Sequence, residues 1–159
     1  MERPQIEVID VREAVNAALL EVEPQLSAKR LDSVGDIPPG VLVLAERQKL
    51  RSILHTLLSN AIRFGTRGGY VMVDVGYPLE MPENVVMLRV GDNGRGIARE
   101  RQGEIFEPST PADGRSQSDE SGIGLAVSRQ WARAMGGDIR VRSEEGTGSV
   151  FTLTLPRAG

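Results

Sequence analysis

The stretch Val90-Gly91-Asp92-Asn93-Gly94-Arg95-Gly96-Ile97 decides how the rest of the chain is read. The apolar, β-branched segment ahead of it (Val85, Val86, Met87, Leu88, Val90) has strand character. It delivers one carboxylate, Asp92, followed by backbone that Gly94 and Gly96 leave clear of side chains. Asp-Asn-Gly by itself marks a turn, because Asn and Gly tolerate the positive φ of a tight hairpin. Here no second strand follows at once; the polar run Ala98-Arg99-Glu100-Arg101-Gln102 does. A carboxylate at a strand end, beside backbone open to close approach, suits a flat ligand with an exposed amine. Adenine is such a ligand: its N6 amine donates to Asp92, whereas the O6 acceptor of guanine is repelled.

Composition narrows the function classes. The 159 residues suit one domain with a core of its own, at 40% apolar, 26% charged and 4% aromatic residues. A net charge of −3 announces no polyanion-binding surface, so nucleic acid is not expected as a partner. With no Cys, disulfides, thiolate metal sites and cysteine nucleophiles are excluded. A single histidine, His55, argues against a His-based metal cluster or a Ser-His-Asp triad. No apolar run approaches membrane-spanning length and Met1 to Gln5 lack a signal-peptide core, so no membrane contact of this segment and a cytoplasmic location are expected.

Working outward from Asp92, a first strand is expected over Ile6 to Ile9, and Asp10 with Glu13 forms a capping box for the helix that follows. Arg30 to Val34 and Val41 to Leu44 are strand candidates. The strongest helix runs from about Glu46 to Phe64 on an apolar stripe of Leu50, Ile53, Leu54, Leu57, Leu58, Ala61 and Ile62. Asn60 lies at the edge of that stripe, and a lone helical Asn is ordinarily a solvated residue. Beside a nucleotide, its neutral amide oxygen suits Mg²⁺, and Arg63 on the same side can meet a phosphate. His55 points away from Asn60 by helical angle. Tyr70 to Tyr77 and Val85 to Val90 read as paired antiparallel strands.

Beyond the Asp92 stretch, Ile105-Phe106 precedes a Ser-, Asp-, Gly- and Pro-rich segment from Ser109 to Ser121, which reads as a lid. Ser121-Gly122-Ile123-Gly124-Leu125 then opens a helix. Exposed N–H groups there, with glycines removing bulk, form an anion site for phosphates. An N-cap by Ser121 explains the serine but not both glycines, which cost helix propensity. Asp138 to Arg142 and Ser149 to Leu155 complete the sheet.

Three common phosphate devices are absent: the P-loop pattern, the dinucleotide fingerprint and the eukaryotic protein-kinase signatures. What remains is an ordered set, and it resembles the ATP-binding catalytic domain of bacterial sensor histidine kinases, within the group that includes gyrase B, Hsp90 and MutL. Leu57 to Phe64 is similar to that family's N box and Val90 to Ile97 to its first glycine box. Ile105 to Pro108 is similar to its F box, Ser121 to Leu125 to its second glycine box, and Gly146 to Pro156 to its closing strands. The resemblance covers the chain from Ile6 onward.

It implies an α/β two-layer sandwich of the Bergerat ATP-binding type, a mixed β-sheet packed on helices, forming one domain over residues 1–159 with an ATP lid across 107–121. It also implies catalytic roles for Asn60 and Arg63, with Mg²⁺ on Asn60. ATP contacts fall on Asn60, Arg63, Asp92, Gly94, Gly96, Ile97, Phe106, Gly122, Ile123, Gly124, Leu125 and Thr152.

Departures from the family pattern are Thr56 where an Asn is common, Arg63 where a Lys is common, and Ser109-Thr110 where the F box continues with Phe and Arg. Gyrase-like hydrolases carry a catalytic Glu at the position of Thr56; without it no base activates water, which favours transfer over hydrolysis. The expected reaction is γ-phosphoryl transfer from Mg·ATP to a histidine on a separate dimerisation domain, with a response regulator downstream. No acceptor histidine with an acidic neighbour is present, so the chain reads as the catalytic half of such a kinase, including the cytoplasmic part of a longer, membrane-bound sensor. Two alternatives stay open: a serine kinase of the anti-sigma type, and a non-enzymatic module that docks a partner when nucleotide binds.

Overall fold

The computed structural model describes residues 5–76, 84–107 and 124–158. Strand β1 (Ile6–Asp10) runs directly into helix α1 (Val11–Ala28), and Asp10 serves both. It ends the strand, and its carboxylate accepts the Glu13 N–H at 3.1 Å, the cap expected from sequence. Val11, Val15, Ala18, Val22 and Leu26 form the buried stripe of α1. The next strand is shorter than expected: β2 spans only Asp32–Val34. Arg30 takes a left-handed φ of 55°, and the Leu31 N–H reaches back to the Leu26 carbonyl, so these residues close the helix instead of starting a strand.

Strand β3 (Leu42–Glu46) leads into α2 (Arg47–Phe64), then β4 (Tyr70–Gly76) and β5 (Val85–Asp92). Two single 3₁₀ turns (Arg99–Arg101 and Glu104–Phe106) precede α3 (Leu125–Ala134), β6 (Asp138–Glu144) and β7 (Gly148–Pro156). Strands β1 and β3 pair antiparallel as a small two-stranded sheet. The main sheet has the order β2-β4-β5-β7-β6; β2 lies parallel to β4 and every other pairing is antiparallel. β5, the strand that ends in Asp92, is therefore its central strand.

Strand alternation divides the sheet into two faces. Val71 and Val73 of β4, Val86, Leu88 and Val90 of β5, Ile139 of β6, and Phe151, Leu153 and Leu155 of β7 are buried. They meet Ile53, Leu54, Leu57, Leu58 and Ala61 of α2 and the stripe of α1 in one core. The opposite face carries half-buried and exposed residues, with Arg89 of β5 paired to Asp74 of β4 at 2.7 Å. This is the two-layer mixed-sheet sandwich expected from sequence.

Among the described residues no helix is long and apolar enough to cross a membrane. The expected lid, 107–121, lies outside the described residues except for Glu107, as do Gly122 and Ile123.

Candidate functional site

Asp92 is the last residue of β5, flanked in register by Val71 of β4 and Ser149 of β7. Alternation turns its side chain to the helix-covered face, where it is 7% exposed. Its Oδ1 accepts the Gly94 N–H at 2.9 Å, closing a side-chain turn over Asn93. Its Oδ2 is buried and has no hydrogen-bond partner among the described residues. The turn reading of Asp-Asn-Gly thus holds through Oδ1, and Oδ2 is left open to a donor.

Burial pushes the Asp92 carboxyl above its ordinary value of 3.8. The N–H groups of Gly94 and Ser149 and the ammonium of Lys29 act in the other direction. A buried acceptor without a donor costs about 1–3 kcal/mol, which a ligand amine placed on Oδ2 would recover. That oxygen fits the amine of an adenine.

The glycines of the stretch also have a packing job. A Cβ on Gly94 would collide with the Phe64 carbonyl and Gly65 Cα at the end of α2. One on Gly96, held at φ 72°, would collide with the carbonyl of Glu144. These glycines let three backbone segments stack on one another, a packing role the sequence reading did not include. Arg95 joins the stack through its N–H to the Phe64 carbonyl (3.3 Å), its carbonyl to the Gly146 N–H (2.8 Å), and its guanidinium 5.4 Å from the Phe64 ring centroid. Gly148, at φ 138°, sits against the Asp92 carbonyl in the same way.

This stack brings the end of α2 to the Asp92 turn. Asn60 is 5% exposed, a buried residue where the sequence suggested the margin of the apolar stripe. One turn earlier, the Thr56 hydroxyl is also buried and has no partner among the described residues. Arg63 is exposed on the last turn. Lys29, from the end of α1, donates to the carbonyls of Ile62 (2.7 Å) and Arg63 (2.9 Å), satisfying orphan acceptors of α2. Burial, then Arg95, lowers the Lys29 ammonium from its usual value, and Asp92 opposes them. His55 faces the Glu21–Arg51 pair between α1 and α2, as its helical angle implied.

Phe106 packs edge-on against Phe151, with centroids 6.5 Å apart, and the Arg129 guanidinium lies 4.4 Å from its ring centroid. Phe151 pairs with Val90 in β5, so Phe106 is tied to the strand that carries Asp92. Gly124 is the N-cap of α3 and makes no side-chain cap, so among the described residues no side chain caps this end, and helix N–H groups of this kind suit an anion. Leu125 is buried in the core, so its contribution there is its backbone and not its side chain.

Thr152 is a correction. Its register partners are Arg89 and Arg140, on the open face of the sheet, opposite to the face that carries Asp92. A groove of about 840 Å³, lined by Glu7, Arg47, Lys49 and Trp131, lies at the other end of α2 and holds none of the expected nucleotide residues.

Residues 45–159 match the family described as histidine kinase-, DNA gyrase B- and HSP90-like ATPases. The chain belongs to this family. It is 38% identical over 143 residues to the adaptive-response sensory kinase SasA of a Synechococcus strain, covering 88% of this chain and 37% of that protein. It is 36% identical over 154 residues to the histidine protein kinase DivJ of Caulobacter vibrioides, covering 94% of this chain and 25% of that protein. The chain thus spans little more than a third, or less, of these curated relatives.

Among solved structures, full-length ShkA in complex with AMPPNP superposes with a TM-score of 0.80 at 26% identity, over 99% of this chain and 32% of that one. The catalytic domain of histidine kinase ThkA superposes with a TM-score of 0.80 at 22% identity, over 99% and 97%, which bears on the fold.

Four residues at this family site escaped the sequence reading. Ser149 sits beside Asp92, yet in sequence it was one polar residue in a closing strand. Ser143 reaches the backbone of Ile97 from β6 and Gln102 reaches it from five residues on, and Lys29 reaches α2 from α1. Their only signal is three-dimensional.

Proposed function

We propose that this chain is the ATP-binding catalytic domain of a two-component sensor histidine kinase. In this reading it presents Mg·ATP to a histidine on a separate dimerisation domain, on the cytoplasmic side of the cell, with a response regulator downstream. The observation that carries the reading is the buried Oδ2 of Asp92, unpartnered among the described residues, at the head of a glycine box inside the matched family region.

Asp92 accepts the adenine amine, and Ile97, at the end of the same glycine box, bounds the base. Asn60 supplies a neutral amide oxygen suited to Mg²⁺, which prefers oxygen donors and keeps several waters. When bound, the metal would neutralise phosphate charge. Arg63 and the N-terminus of α3 at Gly124 and Leu125 address the phosphates, together with Gly122 and Ile123.

In the transfer, a ring nitrogen of the acceptor histidine bonds to the γ-phosphorus while the bond to the β–γ bridging oxygen breaks, leaving ADP. The chain's contribution is positioning and charge neutralisation. The buried Thr56 hydroxyl offers no base for water, which supports transfer over hydrolysis. The test is incubation with labelled ATP and a histidine-containing dimerisation domain. An acid-labile phosphorylated product is expected; an acid-stable one would point to a serine kinase, and none to a binding module.

A further inference from the structure

We propose that Gln102 and Ser143 are positioning residues for the nucleotide, holding the backbone of Ile97 from both sides at the floor of the adenine pocket. The inference rests on the reading that Asp92 and Ile97 meet the base. The Ile97 N–H donates to Ser143 Oγ at 2.7 Å. The Ile97 carbonyl accepts from Gln102 Nε2 at 2.9 Å, and the same nitrogen donates to the Ser143 carbonyl at 3.0 Å. Both protons of one amide are thus spent on two carbonyls, and only a donor works in that place.

Proton counting extends the arrangement to Asp92. Ser143 Oγ has a single proton and lies 3.0 Å from the Gly148 carbonyl and 2.7 Å from Ser149 Oγ. Every donor is engaged when Ser143 donates to Gly148 and accepts from both Ile97 and Ser149. Ser149 is the register partner of Asp92, and Ser143 is the register partner of Ser149. One chain of hydrogen bonds therefore runs across the sheet from beside the base-reading carboxylate to the peptide of Ile97. It orders that peptide before a ligand arrives, so binding does not have to. Gln102 follows the 3₁₀ turn Arg99–Arg101, and its amide ties the end of the glycine box to β6.

The experiment is calorimetric titration of ADP into Gln102→Ala, Gln102→Glu and Asp92→Ala variants, with thermal unfolding of each ligand-free protein. Gln102→Ala is expected to weaken ADP roughly five- to thirtyfold, with little change in ligand-free unfolding. Gln102→Glu is expected to weaken it further, because it sets an acceptor against two carbonyl oxygens. If both Gln102 variants bind within about twofold of the unaltered protein while Asp92→Ala loses affinity, the clamp is refuted and the base reading survives. If affinity falls only in step with ligand-free stability, the role is structural and the proposal fails. If Asp92→Ala binds normally, the base reading fails and the clamp falls with it.

Discussion

Replacing Asp92 by Asn separates what this residue costs the fold from what it gives the ligand. The substitution keeps the shape and keeps an oxygen for the Gly94 N–H, now 2.9 Å from Oδ1. It removes the charge and puts an N–H₂ group in place of the unpartnered Oδ2. Because burial raises the Asp92 carboxyl, the folded chain holds that proton more tightly than the unfolded chain does. Its stabilising contribution is complete below the ordinary value of 3.8 and is lost as pH rises through the elevated folded-state value.

Above that elevated value the native protein carries an ionised, buried carboxylate at a cost that Asn avoids. The ligand-free Asp92→Asn protein should unfold at or above the temperature of the unaltered one at pH 7, and that margin should shrink as pH falls toward 4. Nucleotide affinity should move the other way. A charge-assisted hydrogen bond of about 1.5–3 kcal/mol is replaced by two facing donors, so ATP should bind roughly tenfold to 150-fold more weakly. Titration calorimetry measures the second effect and scanning calorimetry across pH the first. A margin that grows on acidification, or an ATP affinity within about threefold of the original, would refute the reasoning.

Gly94→Ala should lower the denaturant midpoint, at a cost of about 1–3 kcal/mol, because its methyl group meets the Phe64 carbonyl; an unchanged midpoint would refute the packing role of this glycine. Asn60→Ala should abolish the enhancement of ADP binding by Mg²⁺ while leaving metal-free ADP binding within about threefold, and a retained enhancement would place the metal elsewhere. Thr152→Val, on the open face of the sheet, should leave ADP affinity within about twofold by calorimetry; a tenfold loss would put this residue back at the site.

Much of this protein was legible in the chain alone, wherever the physics is local. The apolar stripe of α2, the Asp10 cap of α1 and the alternating strands each follow from the spacing of neighbouring residues, and each appears where it was expected. The carboxylate of Asp92 stood out because its Gly-rich context is contiguous. The family likewise rested on short contiguous boxes, and residues 45–159 match it.

Tertiary structure decided what depends on residues far apart in sequence. Strand order placed β5 between β4 and β7, and so buried Asp92 beside Ser149, 57 positions later by residue number. Register sent Thr152 to the other face, because one step along a strand reverses the direction of the side chain. Only the contact of α2 with the glycine stretch shows that Gly94 is small to admit the Phe64 carbonyl. Helical periodicity suggested a marginal Asn60, but it cannot tell which neighbours close over that margin, and here they bury it. Periodicity fixes the direction of a side chain relative to its own element; what the side chain meets there is set by how the elements pack.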